Sequence, residues 1–278
     1  KTRWDDAQDL IIVGGGFIGL EVAAAAARAG KHVTVVEVAD RLIGRALSGL
    51  TGQFLLDAHR RRGVDIRLNE AVTHIHGHDG QVTGVTLSTG ESLPSQIVMV
   101  GIGALPRLHI AEQLGLATAL GAIVVDEFAE TSQPGIVAAG DAVLLPHPLG
   151  HEGLVRLESV QNAVDQAKVA AKTLVGRPEP SLAVAWFWSD QADLKLQIAG
   201  LSAPTDELVL RGDPAAERYS ALFYRNGILV AVEAVNSPAD YMAVRRALAH
   251  GATISAHAAP DTTVPLKTLV VEAQGADR

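Results

Sequence analysis

Apolar runs and an alanine-rich stretch alternate in the first part of the chain. An aliphatic run beginning at Leu10, LIIV, ends in glycines and is typical of a parallel strand buried on both faces. The stretch that follows, FIGLEVAAAAARAG, favours a helix, and Gly30 suits the left-handed backbone that closes helices. A β-branched run from His32 to Glu37 predicts a second strand. Strand, helix and strand in about 30 residues match the size of one right-handed βαβ unit.

The rest of the sequence predicts further helices and strands and two segment boundaries. The pattern predicts a helix over 50–62, strands over 64–68, 71–76, 81–87 and 97–101, and a helix over 155–175. The turns HDGQ and STGE, and later Asn226–Gly227, indicate hairpins. Near residue 117 the sequence changes to short apolar strands divided by polar turns, and a proline-bearing linker lies at 176–181. We therefore predict three segments, which are 1–116, 117–180 and a strand-rich α+β segment over 181–278.

Composition and charge narrow the function classes. The 278 residues are 48% hydrophobic and 19% charged, which favours a folded chain over a disordered one. The formal net charge of −8 offers no global attraction to nucleic acid or to anionic lipid. No apolar tract reaches the ~20 residues of a membrane-spanning helix. The chain begins with Lys1 and carries no leader-like start, so we expect a trimmed or partial cytoplasmic chain rather than a secreted one.

A glycine fingerprint lies between the first strand and the first helix. Gly14-x-Gly16-x-x-Gly19 is followed by Glu37 at the end of the next strand, which is the context of a dinucleotide site. In such a site the first glycine permits a tight turn and the second lets backbone amides approach a pyrophosphate. The third glycine lets the helix pack closely on the strand. The alternative is a plain glycine-rich turn. Glu37 would accept hydrogen bonds from ribose hydroxyls and repel a ribose phosphate, so we predict NAD rather than NADP, despite the nearby Arg41.

Several motifs in a fixed order identify a family resemblance. The chain resembles the FAD-dependent ferredoxin reductases that serve Rieske oxygenases and cytochrome P450 systems. The resemblance covers most of the chain and is carried by the glycine-fingerprint stretch, VGIGALP at 100–106, TSQPGIVAAGDAV at 131–143, RLESVQNAVDQAK at 156–168 and WFWSDQ at 186–191.

The resemblance implies an α/β fold with three parts. These are a Rossmann-like NADH-binding domain, part of an FAD-binding domain, and an α+β C-terminal interface domain. It also implies an activity, in which NADH passes a hydride to FAD and the flavin then passes single electrons to a [2Fe–2S] ferredoxin serving an oxygenase. The absence of Cys favours this family over the disulfide reductases of the same architecture, whose flavin passes its electrons to a Cys pair, and we expect the iron–sulfur acceptor to be another chain.

The resemblance also implies roles for individual residues. The positions expected to contact NADH are Gly14, Gly15, Gly16, Gly19, Glu37, Gly101 and Gly103. The positions expected to contact FAD are Gly140, Asp141, which would bind the ribityl chain, and Val160, which would meet the ring through its backbone. Three side chains are expected around the nicotinamide and the isoalloxazine: Glu21, Glu158 and Trp188.

Simpler interpretations stay open for several of these residues. Gly140 and Asp141 could form an ordinary turn, and Glu158 could be a charge at a helix start. Trp186 and Trp188 fall on one face of a strand, where core packing is the usual role of an indole.

Two further patterns have both a functional and a structural interpretation. His74, His76 and His78 alternate at strand spacing and could bind a metal, but they flank a hairpin without a carboxylate partner, so we predict no metal site. Residues 60–62, three arginines, are either a solvated helix end or a docking patch.

The sequence departs from the family at two places. The glycine fingerprint that normally precedes this one and binds the adenosine diphosphate of FAD is absent, and Arg107 stands where relatives often have Asn. The rival hypothesis is therefore a non-catalytic or truncated NAD-binding module that holds no flavin.

Overall fold

The computed structural model describes residues 2–148, 153–181 and 183–272, which form two compact units. The first unit contains the chain up to Gly103 together with Trp188–Leu196 and Asp213–Tyr219. The second unit contains the rest, which is Ala104–Phe187, Gln197–Gly212 and the chain from Ser220 onwards.

The first unit is built around a parallel sheet. In chain order its elements are α1 (Thr2–Asp6), β1 (Asp9–Val13), α2 (Phe17–Arg28), β2 (His32–Glu37), α3 (Gly49–Arg61), β3 (Val64–Leu68), β4 (Val72–His78), β5 (Gln81–Leu87), β6 (Ser92–Pro94) and β7 (Ile97–Val100). The four parallel strands have the order β3-β2-β1-β7, and β4, β5 and β6 form a separate antiparallel sheet. This arrangement confirms the predicted α/β class with a Rossmann-like first part.

Aliphatic side chains from the two sheets of the first unit share one core. Val85 and Leu87 of β5 pack with Ile11 of β1 and Val36 of β2, and all four are buried. The parallel strands are apolar on both faces because the helices cover the other side, as the continuous run at Leu10 predicts. The core therefore fixes the carboxyl ends of β1, β2 and β7 at one edge of the sheet.

The arginines at the end of α3 form ion pairs. Arg62 binds the carboxylates of Asp193, at 2.7 Å, and of Glu217, at 2.6 Å, and Arg61 also binds Glu217, at 2.7 Å. Hydrogen bonding from Arg62 lowers the pKa of Glu217 to about 2, while Glu217 raises the pKa of Arg62. Arg60 donates to the carbonyl of Ile66. Both interpretations of this arginine run, a solvated helix end and a docking patch, miss these intramolecular pairs.

The second unit begins with short strands and one long helix. Its elements are α4 (His109–Gln113), β8 (Thr118–Ala119), β9 (Ala122–Val124), β10 (Val143–Pro146), β11 (Leu154–Val155) and α5 (Val160–Leu174). The strands form a sheet of order β11-β10-β9-β8. The helix predicted over 155–175 is shorter at its start, because Ser159 caps it by accepting from the amide of Asn162, and Leu154–Val155 pairs with β10 instead.

The last part of the chain forms a five-stranded sheet with a helix. Its elements are β12 (Trp186–Gln191), β13 (Leu194–Gly200), β14 (Glu207–Asp213), β15 (Arg218–Arg225), β16 (Ile228–Val235), α6 (Pro238–Ala249), β17 (Ala252–Ile254) and β18 (Val270–Glu272), with 3₁₀ turns at Pro214–Ala216 and Leu266–Leu269. The sheet order is β12-β13-β16-β15-β14. The predicted Asn226–Gly227 turn joins β15 to β16 with both residues at positive φ. The helix α6 begins at Pro238, which occupies its first turn.

One buried arginine organises the chain after α6. Arg211 is 5% exposed, and its guanidinium bonds the carboxylate of Asp240 at 3.0 Å. It also donates to the main-chain carbonyls of Ala259, Asp261 and Val264. A single side chain therefore satisfies three carbonyls in a stretch that is otherwise mostly turns.

No helix within residues 2–148, 153–181 and 183–272 is long and apolar enough to cross a membrane.

Candidate functional site

The turn after β1 depends on two glycines for its packing. Gly14 has φ +108°, and its amide donates to the carbonyl of Val36 at 2.8 Å. A Cβ on Gly14 would collide with the carbonyl of Gly101, and a Cβ on Gly19 would collide with the carbonyl of Gly14. Both collisions are with backbone that cannot move aside, so these glycines bring the turn, α2 and the end of β7 into contact.

The middle glycine of the fingerprint faces open space. Gly16 has φ −81° and ψ 179°, a conformation that any residue adopts, and a Cβ there would meet no atom within 4 Å. It is the N-cap of α2, where no side chain caps the helix and no acidic residue lies in the first turn. The positive end of the helix dipole is thus open to an approaching anion, such as a diphosphate.

Glu37 closes the turn from the side of β2. Its two carboxylate oxygens accept from the amides of Gly15, at 2.7 Å, and of Ala39, at 2.8 Å. A Cβ on Gly15 would come within 2.6 Å of a methyl group of Leu42, so the Leu42 side chain would have to shift. A carboxylate has about four lone-pair positions, which leaves acceptors for the hydroxyls of a ribose.

The end of β7 completes the edge of the sheet. The amide of Gly101 donates to the carbonyl of Val13 at 2.8 Å, and Gly103, with φ +97°, lies beside the guanidinium of Arg45. Two apolar side chains that follow β2 and β7, Val38 and Ile102, are 72% and 71% exposed. Exposed aliphatic groups beside an anion-binding turn are suited to a flat aromatic ring such as adenine.

Glu21 lies in α2 at the end of a buried chain of hydrogen bonds. Its Oε1 accepts from the hydroxyl of Ser189 at 2.6 Å, and that hydroxyl accepts from the amide nitrogen of Gln191 at 3.2 Å. The amide oxygen of Gln191 lies 2.7 Å from Nε2 of His59. Burial lowers the pKa of His59, so its ring is neutral at pH 7.

The two tryptophans of β12 have different surroundings. Burial alternates toward the end of the strand. Ser189 and Gln191 are buried, whereas Trp188, which directly precedes Ser189, is 45% exposed. Trp186 is partly buried, and the guanidinium of Arg245 lies 4.1 Å from its ring centroid. The predicted core role thus suits Trp186 better than Trp188.

The residues matched to the flavin lie in the second unit. Gly140 has φ +89° and donates its amide to the side chain of Gln166. Arg156 donates to the carbonyl of Asp141 and pairs with the carboxylate of Glu158 at 2.5 Å. The side chain of Asp141 is exposed. Arg156 therefore ties the Gly140–Asp141 turn to the segment that leads into α5.

A groove runs along the first half of α5. It has a volume of about 500 Å³ and is lined by Asp141, Ser159, Val160, Ala163, Val164 and Ala167. Val160 is 71% exposed, and the lining is mostly apolar apart from the Asp141 carboxylate. An apolar floor with one carboxylate at its edge fits an aromatic ring that carries a polyhydroxyl chain, which is the chemistry of a riboflavin derivative.

The structure thus groups the predicted residues within each unit. In the first unit it brings together the turn at Gly14–Gly19, Glu37, Gly101, Gly103 and Glu21. Trp188 precedes the serine that binds Glu21, but its side chain lies on the opposite, exposed face of β12. In the second unit it brings together Gly140, Asp141, Glu158 and Val160.

Sequence reasoning missed the partners of Glu21. Ser189 and Gln191 belong to the quoted WFWSDQ motif, and their alternation with exposed residues was a usable signal. His59 stands four residues after Leu55, on the apolar face of α3, which is a signal for a buried histidine.

The three alternating histidines of β4 have ordinary partners. His76 bonds the hydroxyl of Thr86 at 2.6 Å, and His78 lies 3.2 Å from the carboxylate of Asp79. Within the part of the chain that the structure describes, His, Cys, Asp and Glu side chains form no group of three that could hold a metal.

Comparison with known proteins agrees with this geometry. The pyridine nucleotide-disulphide oxidoreductase family model matches residues 1–167, and a reductase C-terminal model matches residues 186–270. Rhodocoxin reductase of Rhodococcus erythropolis is 44% identical over 261 residues, which are 94% of this chain and 61% of that protein.

Solved structures agree as well. A ferredoxin reductase for the CYP199A2 system from Rhodopseudomonas palustris has a TM-score of 0.89 at 40% identity, covering 96% of this chain and 66% of that one. Putidaredoxin reductase in its covalent complex with putidaredoxin has a TM-score of 0.88 at 35% identity, covering 94% and 63%. The chain spans a little under two thirds of the length of these relatives. From the family match and the glycine turn together, the chain belongs to the pyridine nucleotide-disulphide oxidoreductase family.

Proposed function

We propose that this chain is the NADH-binding and C-terminal part of a ferredoxin reductase. In this proposal residues 1–116 bind NADH, 117–180 are the second half of an FAD-binding domain, and 181–278 are an interface domain. The observation that carries the proposal is the open, uncapped helix start at Gly16, next to a carboxylate positioned for a ribose.

The first unit supplies the binding groups for NADH. The backbone at Gly16 and the start of α2 receive the diphosphate, and Glu37 receives the adenosine ribose. Gly101 and Gly103 allow the dinucleotide to pass close to the end of β7. In this proposal Glu21, one turn into α2, meets the nicotinamide end, and Trp188 offers an exposed ring to the bound ligand.

The second unit supplies binding groups for FAD. Asp141 accepts from ribityl hydroxyls, Gly140 supplies the positive φ of that turn, and Val160 presents its backbone and an apolar surface to the ring. Glu158, held by Arg156, directly precedes Ser159, which lines the same groove. These residues would hold FAD, whose chemistry would couple a two-electron donor to a one-electron acceptor.

We propose a [2Fe–2S] ferredoxin as the partner and the cytoplasm as the location. The support for the partner is that one solved relative is covalently joined to putidaredoxin, and that the chain has no Cys of its own to accept electrons. Since hydride transfer needs placement of the reacting groups rather than an acid or base, the protein would contribute orientation and exclusion of water.

Electron transfer to a ferredoxin tests the proposed activity. The complete gene product, mixed anaerobically with FAD, NADH and a [2Fe–2S] ferredoxin, should bleach the visible absorbance of the ferredoxin. Omission of FAD should slow the bleaching. If NADH binds but no bleaching occurs with FAD present, the chain is instead a non-catalytic NAD-binding module.

Glu37→Gln should reduce the preference for NADH. The substitution removes the charge that accepts from ribose hydroxyls and repels a ribose phosphate, and it places an amide nitrogen, which cannot accept, opposite the main-chain N–H of Gly15 or Ala39. We expect roughly tenfold weaker NADH binding, the effect of one charged hydrogen bond, and NADPH binding that stays the same or improves. Calorimetric titration with each coenzyme measures the ratio of the NADH and NADPH affinities.

Asp40→Asn is the matched control for this change. It removes one negative charge from an exposed position three residues further along and should leave the ratio unchanged. Equal ratios for Glu37→Gln and the unaltered chain would contradict the assigned role of Glu37.

A further inference from the structure

We propose that His59, Gln191 and Ser189 are positioning residues that hold the Glu21 carboxylate in one orientation toward the nicotinamide half of the coenzyme. The inference rests on the proposed NADH-binding function and assigns to it three residues that do not themselves touch the coenzyme. All four residues lie in the first unit, on α2, α3 and β12.

The chain of hydrogen bonds has a single direction. A carboxylate only accepts, so the one proton of the Ser189 hydroxyl goes to Glu21. The serine oxygen then accepts from the amide nitrogen of Gln191, and the amide oxygen of Gln191 accepts from the Nε2 hydrogen of His59. Every donor in the chain therefore points toward Glu21, and each bond polarises the next in the same direction.

The hydrogen bonds of this chain hold their geometry because the residues that form them are buried. Ser189, Gln191 and His59 are each no more than 1% exposed, so water does not compete for their hydrogen bonds. The other ring nitrogen of His59, Nδ1, is buried without a hydrogen-bond partner among the described residues. A neutral ring with its single hydrogen on Nε2 satisfies this environment, and lowering of the His59 pKa by burial keeps the ring neutral.

Glu21, at the end of this chain of hydrogen bonds, is the residue that would contact the coenzyme. Glu21 is half-buried, and its second oxygen, Oε2, takes part in no hydrogen bond with the described residues. The carboxamide of nicotinamide carries N–H donors, which are the natural partners of such an oxygen. A freely rotating glutamate would lose side-chain entropy on binding, whereas one already fixed through Oε1 does not.

Binding of NADH and of ADP-ribose to the 278-residue chain tests the proposal. ADP-ribose lacks the nicotinamide ring, and without added flavin the chain does not consume NADH. Ser189→Ala should weaken NADH binding about fivefold, the ratio that one lost hydrogen bond gives, and leave ADP-ribose binding unchanged. Gln191→Glu keeps the shape but adds an acceptor that competes for the proton of Ser189, and it should produce the same selective loss.

A double substitution separates positioning from a general structural effect. If Ser189 acts through Glu21, then Ser189→Ala should have no further effect on NADH binding in a chain that already carries Glu21→Ala. Ser220→Ala is the matched control, because Ser220 is equally buried, donates to the carboxylate of Asp240 and belongs to the second unit. This control should change neither affinity.

The outcomes are distinguishable. Equal weakening of NADH and ADP-ribose, or additive effects of Ser189→Ala and Glu21→Ala, would overturn the positioning role while the proposed function stands. If the unaltered chain binds neither molecule, the proposed function fails and the inference fails with it. Circular dichroism of each variant checks that the fold is retained, and Gln191→Glu decides the question if Ser189→Ala does not fold.

Discussion

Gly16→Ala should remove coenzyme binding and leave the fold unchanged. The backbone at Gly16 has dihedral angles that alanine adopts freely, and the new methyl group would meet no protein atom within 4 Å. The same methyl group would occupy the space through which a diphosphate approaches the start of α2. We expect NADH affinity to fall roughly a hundredfold, which corresponds to about 3 kcal/mol, while the unfolding transition moves by less than about 1 kcal/mol.

Calorimetric titration with NADH and denaturant unfolding measure the two effects of Gly16→Ala. Gly49→Ala is the matched control, because Gly49 starts α3 and a Cβ there also meets no atom within 4 Å. That variant should bind NADH normally. An affinity for NADH that stays within twofold in Gly16→Ala would show that the open face of the turn does not receive the diphosphate.

Arg211→Met should strongly destabilise the second unit. The change keeps much of the side-chain length but leaves the Asp240 carboxylate without its ion pair, removes the guanidinium donor from the carbonyls of Ala259 and Val264, and leaves the carbonyl of Asp261 only the amide of Val264 at 3.4 Å. Breaking one partner of a buried ion pair costs about 3–5 kcal/mol. Urea unfolding should therefore show a fall of that size in the unfolding free energy of the transition that reports on the second unit.

Arg218→Met provides the comparison for Arg211→Met. Arg218 begins β15, its side chain is exposed, and the same substitution there should change the unfolding free energy by less than about 0.5 kcal/mol. Similar small effects of both substitutions would mean that the carbonyls of residues 259–264 are satisfied without Arg211.

The parts of the fold that sequence predicted well are those with local causes. β1, α2 and β2 follow from an aliphatic run, an alanine-rich stretch and a β-branched run in direct succession. The hairpin between β4 and β5 follows from Asp79 and Gly80, which both adopt positive φ. The fingerprint glycines likewise occupy the turn that their spacing predicts.

Other features depend on contacts that no local pattern contains. Glu21 and Ser189 are 168 residues apart, so their hydrogen bond has no signal in the neighbourhood of either one. The arginines after His59 looked like a solvated helix end, but Asp193 and Glu217 reach them from distant parts of the chain. The start of α5 was placed too early, because Leu154–Val155 pairs with β10, a partner that helical periodicity does not reveal.

The two hydrogen bonds that Glu37 accepts from Gly15 and Ala39 have a kinetic consequence. Both amides are already satisfied by the carboxylate, so the turn has its ligand-binding shape before any nucleotide arrives. Association then requires no loop closure, and its rate should be set by diffusion and orientation alone. Differences in affinity among nucleotides would accordingly arise in the dissociation step.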